Sequence, residues 1–102
     1  MNKAKQRRLE RAGWKVGSVK ELLGLTPDEV AYIEMRLALS RNFRELRARK
    51  RLTQVQAAKV LGSSQSRVAK LEAGDPSVSL DLLVRGNLAL GASKRDLAKT
   101  FS

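Results

Sequence analysis

The amino-acid sequence predicts an all-α fold of about five main helices, preceded by a basic N-terminal arm and a short extra helix. Capping residues followed three positions later by glutamine, glutamate or aspartate mark several helix starts. Apolar residues recur at spacings of three and four, and no segment alternates as a half-buried strand does. We therefore expect the arm and the short helix to occupy residues 1–24, and a helical domain to occupy residues 25–102.

The composition favours one domain with a polyanionic partner. The chain has 102 residues, of which 42% are hydrophobic, and this is enough for a modest core. Its 21 Lys and Arg residues exceed its 10 Asp and Glu residues and leave a net charge of +11. Such a charge attracts nucleic acid through phosphate neutralisation. A ribosomal protein, a membrane-surface binder or an unspecialised soluble protein would carry the same excess, so charge alone does not select the partner.

Histidine and cysteine are both absent from the chain. Their absence excludes disulfides, thiolate chemistry, imidazole metal sites and a histidine general base. There is no glycine-rich phosphate loop either, so we expect no metal, no cofactor and no enzymatic activity. No apolar stretch approaches the roughly 20 residues of a membrane span, and no apolar segment follows the basic N-terminus. We expect a cytoplasmic protein without a membrane partner.

The N-terminal arm, residues 1–13, contains five basic residues against a single acidic one, and Leu9 alone cannot anchor it. The arm either follows nucleic-acid phosphates, or slips into a minor groove, or is a solvated tail, and the sequence leaves these interpretations open. Ser18 can cap a short helix that Gly24 closes.

A long helix is predicted over residues 27–50. Thr26 supplies the cap, proline the first turn, and Asp28 and Glu29 place negative charge at the positive end of the helix dipole. The first apolar stripe comprises Met35, Leu39, Phe43 and Leu46. A second stripe, confined to the first half, comprises Val30, Ile33 and Leu37. One stripe is enough to pack on the rest of the domain, so the second covers residues 14–23, a partner subunit or another protein.

Residues 52–74 predict two short helices joined by a polar turn. Thr53 and Gln56 form a capping box, in which each side chain accepts a hydrogen bond from the other's backbone N–H. Gly62 ends the first helix, because only glycine enters the left-handed conformation without a Cβ penalty. Either of the two serines after Gly62 can cap the second helix.

The second of these helices has two chemically different faces. Val68 and Leu71 give it an apolar side. The opposite side carries polar residues, which are Gln65, Ser66, Arg67 and Lys70. A short helix that docks by its apolar side and turns hydrogen-bonding side chains outward fits the major groove of B-DNA.

Two further helices complete the predicted fold. Ser79 starts the first of them and Gly91 ends it, while Ser93 with Asp96 at the third helical position starts the last. Gly86 lies inside the first of these helices, where glycine should cost about 1 kcal/mol relative to alanine.

The central stretch resembles the helix-turn-helix of the Cro/repressor-like (XRE) family. The residues that carry the resemblance are Leu52, Thr53, Gln54, Ala58, Leu61, Gly62, Gln65, Ser66, Val68, Leu71, Glu72 and Gly74. The spacing between them has no gaps. Residues 76–93 look like the fourth-helix region of the same family, although Gly86 departs from its usual pattern. The resemblance implies a repressor-like helix-turn-helix domain that binds double-stranded DNA.

The resemblance also implies roles for particular side chains. Gln65, Ser66 and Lys70 match the base-reading positions, which suits the pairing of glutamine with adenine and of lysine with guanine. Arg67 is either a base or a phosphate ligand.

Four other residues match positions with supporting roles. Gln54 matches a glutamine that hydrogen-bonds phosphate and braces the next helix. Ser64 matches the N-cap of the recognition helix, where backbone N–H groups face phosphate. Arg47 and Glu72 match an ion pair that ties the long helix to the recognition helix.

Residues 22–98 are similar to small XRE-type proteins of the HigA antitoxin group. This likeness implies a homodimer that binds a ribonuclease toxin and represses its own operon. The toxin would use the N-terminal segment or the stripe of Val30, Ile33 and Leu37. A stand-alone or phage-like repressor without a toxin is the alternative, and a protein-interaction module that no longer reads DNA is a third interpretation.

Overall fold

The computed structural model describes residues 23–102, and five α-helices account for most of them. We number them α1 (Pro27–Arg49), α2 (Gln54–Leu61), α3 (Gln65–Ala73), α4 (Leu80–Ala89) and α5 (Lys94–Thr100). No strand occurs in the described residues, so the all-α prediction is confirmed. None of these helices is long and apolar enough to cross a membrane.

The chain divides into two compact units, residues 1–34 and 35–102. The described part of the first unit begins at Leu23. The basic arm and most of the short helix expected from Ser18 lie outside the described residues, so the boundary expected after residue 24 stays a prediction. The second unit contains α2 to α5 and the larger part of α1.

The long helix starts as its sequence requires. The Thr26 backbone N–H donates to the Glu29 carboxylate at 3.2 Å, and the Glu29 N–H donates to the Thr26 hydroxyl at 3.3 Å. The helix ends at Arg49, one residue before the predicted end. Arg51 then takes a left-handed conformation with φ 57° and donates its N–H to Ala48 at 3.0 Å. The sequence does not predict that conformation, because arginine rarely adopts it.

The short helices begin at the expected caps. Thr53 and Gln56 form the capping box at α2, and Ser93 and Asp96 form another at α5. Of the two candidate serines, Ser64 is the N-cap of α3, and its hydroxyl accepts the Arg67 N–H at 3.2 Å.

The core of the domain draws on every helix. Its buried apolar residues are Leu39, Phe43, Ala57, Ala58, Val68, Leu71, Val78, Leu83, Leu90, Ala92 and Leu97. The first stripe of α1 therefore enters the core through Leu39 and Phe43, while Leu46 is partly buried against it. Met35 is 38% exposed, so the stripe reaches the core one turn later than the spacing suggests.

Gly86 has a packing reason that the sequence does not reveal. A Cβ at this position would lie 3.1 Å from Leu61 Cδ2 and 3.4 Å from Leu71 Cδ1. The missing side chain thus lets α4 approach α2 and α3 closely, which offsets the propensity cost expected for a glycine within a helix.

A buried amide links α4 to α1. The Asn87 side chain is fully buried, and its Nδ2 donates to the carbonyls of Leu39 at 3.1 Å and Leu83 at 2.8 Å. Its Oδ1 accepts a hydrogen bond of 2.8 Å from Asn42 Nδ2. The polar atoms of this side chain are therefore satisfied in the core.

Candidate nucleic-acid interface

Helix α3 separates its apolar and polar side chains onto opposite faces. Val68 and Leu71 are completely buried. The side chains exposed on the other face are Gln65, Ser66, Arg67 and Lys70. These are the four residues of α3 that the sequence predicts to contact DNA, and the fold brings them together on one accessible surface.

Small residues and a tight turn set the position of α3 against α2. Ala57 and Ala58 are buried, so the two helices come close without large intervening side chains. Gly62 takes the left-handed conformation with φ 66°, and the following N–H, that of Ser63, donates to the Ala58 carbonyl at 2.8 Å. The turn therefore spans only residues 62–64, and it fixes where α3 begins.

A bidentate ion pair joins α1 to α3. Arg47 Nη2 donates to Glu72 Oε1 at 2.8 Å, and Arg47 Nε donates to the other carboxylate oxygen. Arg47 Nη1 also donates to the Leu52 carbonyl at 2.8 Å, just before α2. The hydrogen bond to Glu72 raises the pKa of the Arg47 guanidinium, and partial burial opposes that rise. One side chain therefore holds three segments of the domain together.

Two glutamines extend this ion pair toward the exposed face. Gln54 Nε2 lies 3.4 Å from Glu72 Oε1, and Gln65 Nε2 donates to Gln54 Oε1 at 3.0 Å. The second N–H and the carbonyl oxygen of the Gln65 amide remain for a ligand, and this donor–acceptor pair is what adenine requires in the major groove. Gln54 itself is half-buried, and in the structure it braces Gln65.

A cleft of about 280 Å³ opens beside α3. Its polar lining includes Ser64, Ser66, Arg67, Lys70, Ser77 and Ser79. Two cations and four hydroxyl groups are suitable ligands for a phosphate oxygen. The sequence predicts the first four of these residues as DNA contacts but not Ser77 and Ser79. Their only local signal is the capping role of Ser79, whose hydroxyl accepts the Leu82 N–H at 3.1 Å.

The turn that carries these two serines is well defined. Asp75 Oδ1 accepts the Ser77 N–H at 2.8 Å, and the Val78 N–H donates to the Asp75 carbonyl at 3.1 Å. Hydrogen bonds from Ser77 lower the pKa of the Asp75 carboxyl below its ordinary value of 3.8. The carboxylate is thus ionised at neutral pH and holds the turn beside the cleft.

Comparison with known proteins agrees with this geometry. Residues 38–99 match the family model described as "Helix-turn-helix domain". The matched region covers the larger part of α1 and all of the later helices up to Lys99, and it contains every residue predicted for the site. No curated protein and no solved structure matches the chain.

Proposed function

Because the chain belongs to the helix-turn-helix domain family, we propose that it is a transcriptional repressor that reads a specific double-stranded DNA sequence with α3 in the major groove. The observation that carries this proposal is the division of α3 into a fully buried apolar face and an exposed polar face. A helix seated in this way presents its polar side chains to base edges without unfolding any part of its core. The net charge of +11 supplies attraction to the phosphates.

Each exposed residue of α3 has a chemical role in this proposal. Gln65 pairs with adenine, Lys70 with guanine, and Ser66 with either base edge. Arg67 contacts a base or a phosphate. Ser64 presents the N-terminal backbone of α3 to a phosphate.

Gln54 supports this reading in two ways. It orients the Gln65 amide, and we assign it a phosphate contact as well.

We assign the active form to a homodimer. A single recognition helix reads few base pairs, and two such helices about 34 Å apart match half-sites one DNA turn apart. Sedimentation in the presence of the selected duplex tests this assignment. A protein that stays monomeric on and off DNA would contradict it.

The test of the proposed function is selection of binding sites from a pool of random duplexes, followed by titration of the enriched duplex in gel-shift experiments. We expect one enriched motif, bound about 10³-fold or more tightly than a scrambled duplex of the same length. Equal binding to the enriched and scrambled duplexes would contradict sequence-specific reading. No binding to either would leave a protein-interaction module as the better interpretation.

We further propose that this repressor is the antitoxin of a toxin–antitoxin pair and acts in the cytoplasm. Exposed apolar side chains in the first half of α1 support this extension, since Ile33 is 40% exposed and Leu37 is 48% exposed. A protein partner such as a ribonuclease toxin would cover them. Co-purification of a small ribonuclease from the native host is the expected result. Recovery of the DNA-bound protein without one would favour a stand-alone or phage-like repressor.

A further inference from the structure

Arg36 joins α1 to the turn between α3 and α4. Its Nη2 atom donates to the Asp75 carbonyl at 3.3 Å and, over a shorter distance, to the Val78 carbonyl. Arg36 lies two residues before the region that matches the helix-turn-helix family, which begins at residue 38. An extension of the first helix thus contacts a turn within the family domain.

The neighbouring residue contacts the same turn. Gly74 ends α3 in the left-handed conformation with φ 72°, and a Cβ there would lie 3.0 Å from Leu37 Cδ2. Leu37 therefore packs against the start of the turn while Arg36 binds two of its carbonyls. Val78, at the end of the turn, is only 6% exposed, so the turn is seated in the domain at that end as well.

The turn has a position that matters for a nucleic-acid ligand. Ser77 and Ser79 line one side of the cleft, and Arg67 and Lys70 line it from α3. A guanidinium that fixes the carbonyls of residues 75 and 78 also fixes where these two hydroxyl groups lie. Arg36 does not itself line the cleft, so its effect on a ligand there would be indirect.

We propose that Arg36 is a positioning residue for DNA binding. It holds the turn of residues 75–79 so that Ser77 and Ser79 contact the same backbone phosphate that Arg67 and Lys70 attract. This inference rests on the proposed function, and it adds a phosphate site whose geometry is set by a residue outside the family domain. The ligand chemistry is that of a DNA phosphodiester, which cations and hydroxyl donors bind together.

The test compares Arg36→Ala with Arg41→Ala. Both substitutions remove one positive charge from α1, and Arg41 is exposed on the same helix. Binding of the selected duplex is titrated at several salt concentrations, after circular dichroism has shown that each protein is folded at the assay temperature. We expect Arg36→Ala to weaken binding about five- to tenfold more than Arg41→Ala. We also expect its log–log salt slope to fall by about one phosphate contact, or ~0.9.

Two further measurements separate positioning from general stability. Hydrogen exchange at the Ser77 and Val78 amides should become faster in Arg36→Ala and stay unchanged in Arg41→Ala. Arg36→Lys keeps the charge but replaces the guanidinium with a single ammonium, so its affinity should lie between those of the wild type and Arg36→Ala. This variant also serves if Arg36→Ala does not fold.

The outcomes distinguish this inference from the function on which it rests. Equal affinities and equal salt slopes for Arg36→Ala and Arg41→Ala would overturn the role of Arg36 and leave the repressor proposal standing. The same conclusion follows if Arg36→Ala does not fold and Arg36→Lys binds like the wild type. Absence of binding by the wild type would overturn both.

Discussion

Arg47 and Glu72 lie 25 residues apart in the sequence, and two hydrogen bonds join the guanidinium of one to the carboxylate of the other. The Glu72 side chain is only 6% exposed, whereas that of Arg47 is 19% exposed. The carboxylate is therefore the member of the pair that depends on its partner, because water can reach little of it.

Removal of the cation should therefore destabilise the fold. We expect Arg47→Ala to lower the free energy of unfolding by about 3 kcal/mol, because it leaves the Glu72 charge buried and unpaired. Urea unfolding followed by circular dichroism measures the change. Arg44→Ala is the matched control, since it removes the same charge from an exposed position on α1 and should cost about 0.5 kcal/mol or less. Equal losses in the two variants would show that the ion pair contributes little.

Truncation of the base-reading side chains should weaken specific binding alone. Gln65→Ala and Lys70→Ala should each cost about 1–3 kcal/mol on the selected duplex and leave binding to a scrambled duplex nearly unchanged. Lys94→Ala on α5 controls for the lost charge of Lys70. If both duplexes lost affinity equally, these residues would contact phosphates rather than bases.

The hydrogen bond between Gln54 and Gln65 should appear as coupling in DNA binding. Gln54→Ala frees the Gln65 amide to rotate, so part of the Gln65 contribution is already lost in that variant. A double-mutant cycle on the selected duplex should give an interaction energy of about 0.5–2 kcal/mol. Gln56→Ala, which changes a capping glutamine at the same helix, provides a comparison without this contact. Additive losses for Gln54 and Gln65 would argue that the bond has no role once DNA is bound.

Arg51 is a site where a less specialised residue should stabilise the domain. Its φ of 57° is unfavourable for a side chain with a Cβ, and glycine adopts it without that cost. We expect Arg51→Gly to raise the free energy of unfolding by about 0.5–1 kcal/mol. Arg49→Gly, which places glycine in the last helical position of α1, should have the opposite sign. Thermal unfolding of the two variants at equal salt measures the difference, and destabilisation by both would contradict the strain at Arg51.

Acid should loosen the turn beside the cleft. The folded-state pKa of Asp75 lies below its ordinary value of 3.8, so the unfolded chain takes up the proton first. The contribution of this carboxylate is therefore complete above about pH 4 and is lost as the pH falls through the folded-state pKa.

NMR titration of the Ser77 amide should show the transition below pH 3.8, and Asp75→Asn should abolish it. A midpoint above that value would mean that the hydrogen bond does not favour the ionised form.

Local signals predicted most of the helix boundaries. Thr53 with Gln56 and Ser93 with Asp96 define their helix starts through contacts within four residues, so no knowledge of the fold is needed. The two faces of α3 are also local, because they follow from helical spacing alone.

Contacts between distant segments could not be predicted in this way. Arg36 resembles any other cation of a basic helix until the turn of residues 75–78 is placed beside it. Gly86 is a defect by helix propensity, and only the proximity of Leu61 shows its use. The serines of the cleft belong to the same class, since they face α3 only after the chain has folded.

The buried Asn87 amide has a consequence for how the domain assembles. A slide of α4 along α1 by one helical turn would keep many apolar contacts, but it would strand the amide away from the Leu39 carbonyl and the Asn42 side chain. An unpaired amide in the core costs about 1–3 kcal/mol, which is a large share of the stability of a small domain. Asn87 therefore acts as a registration pin, and it makes one alignment of the two helices preferable to its near neighbours.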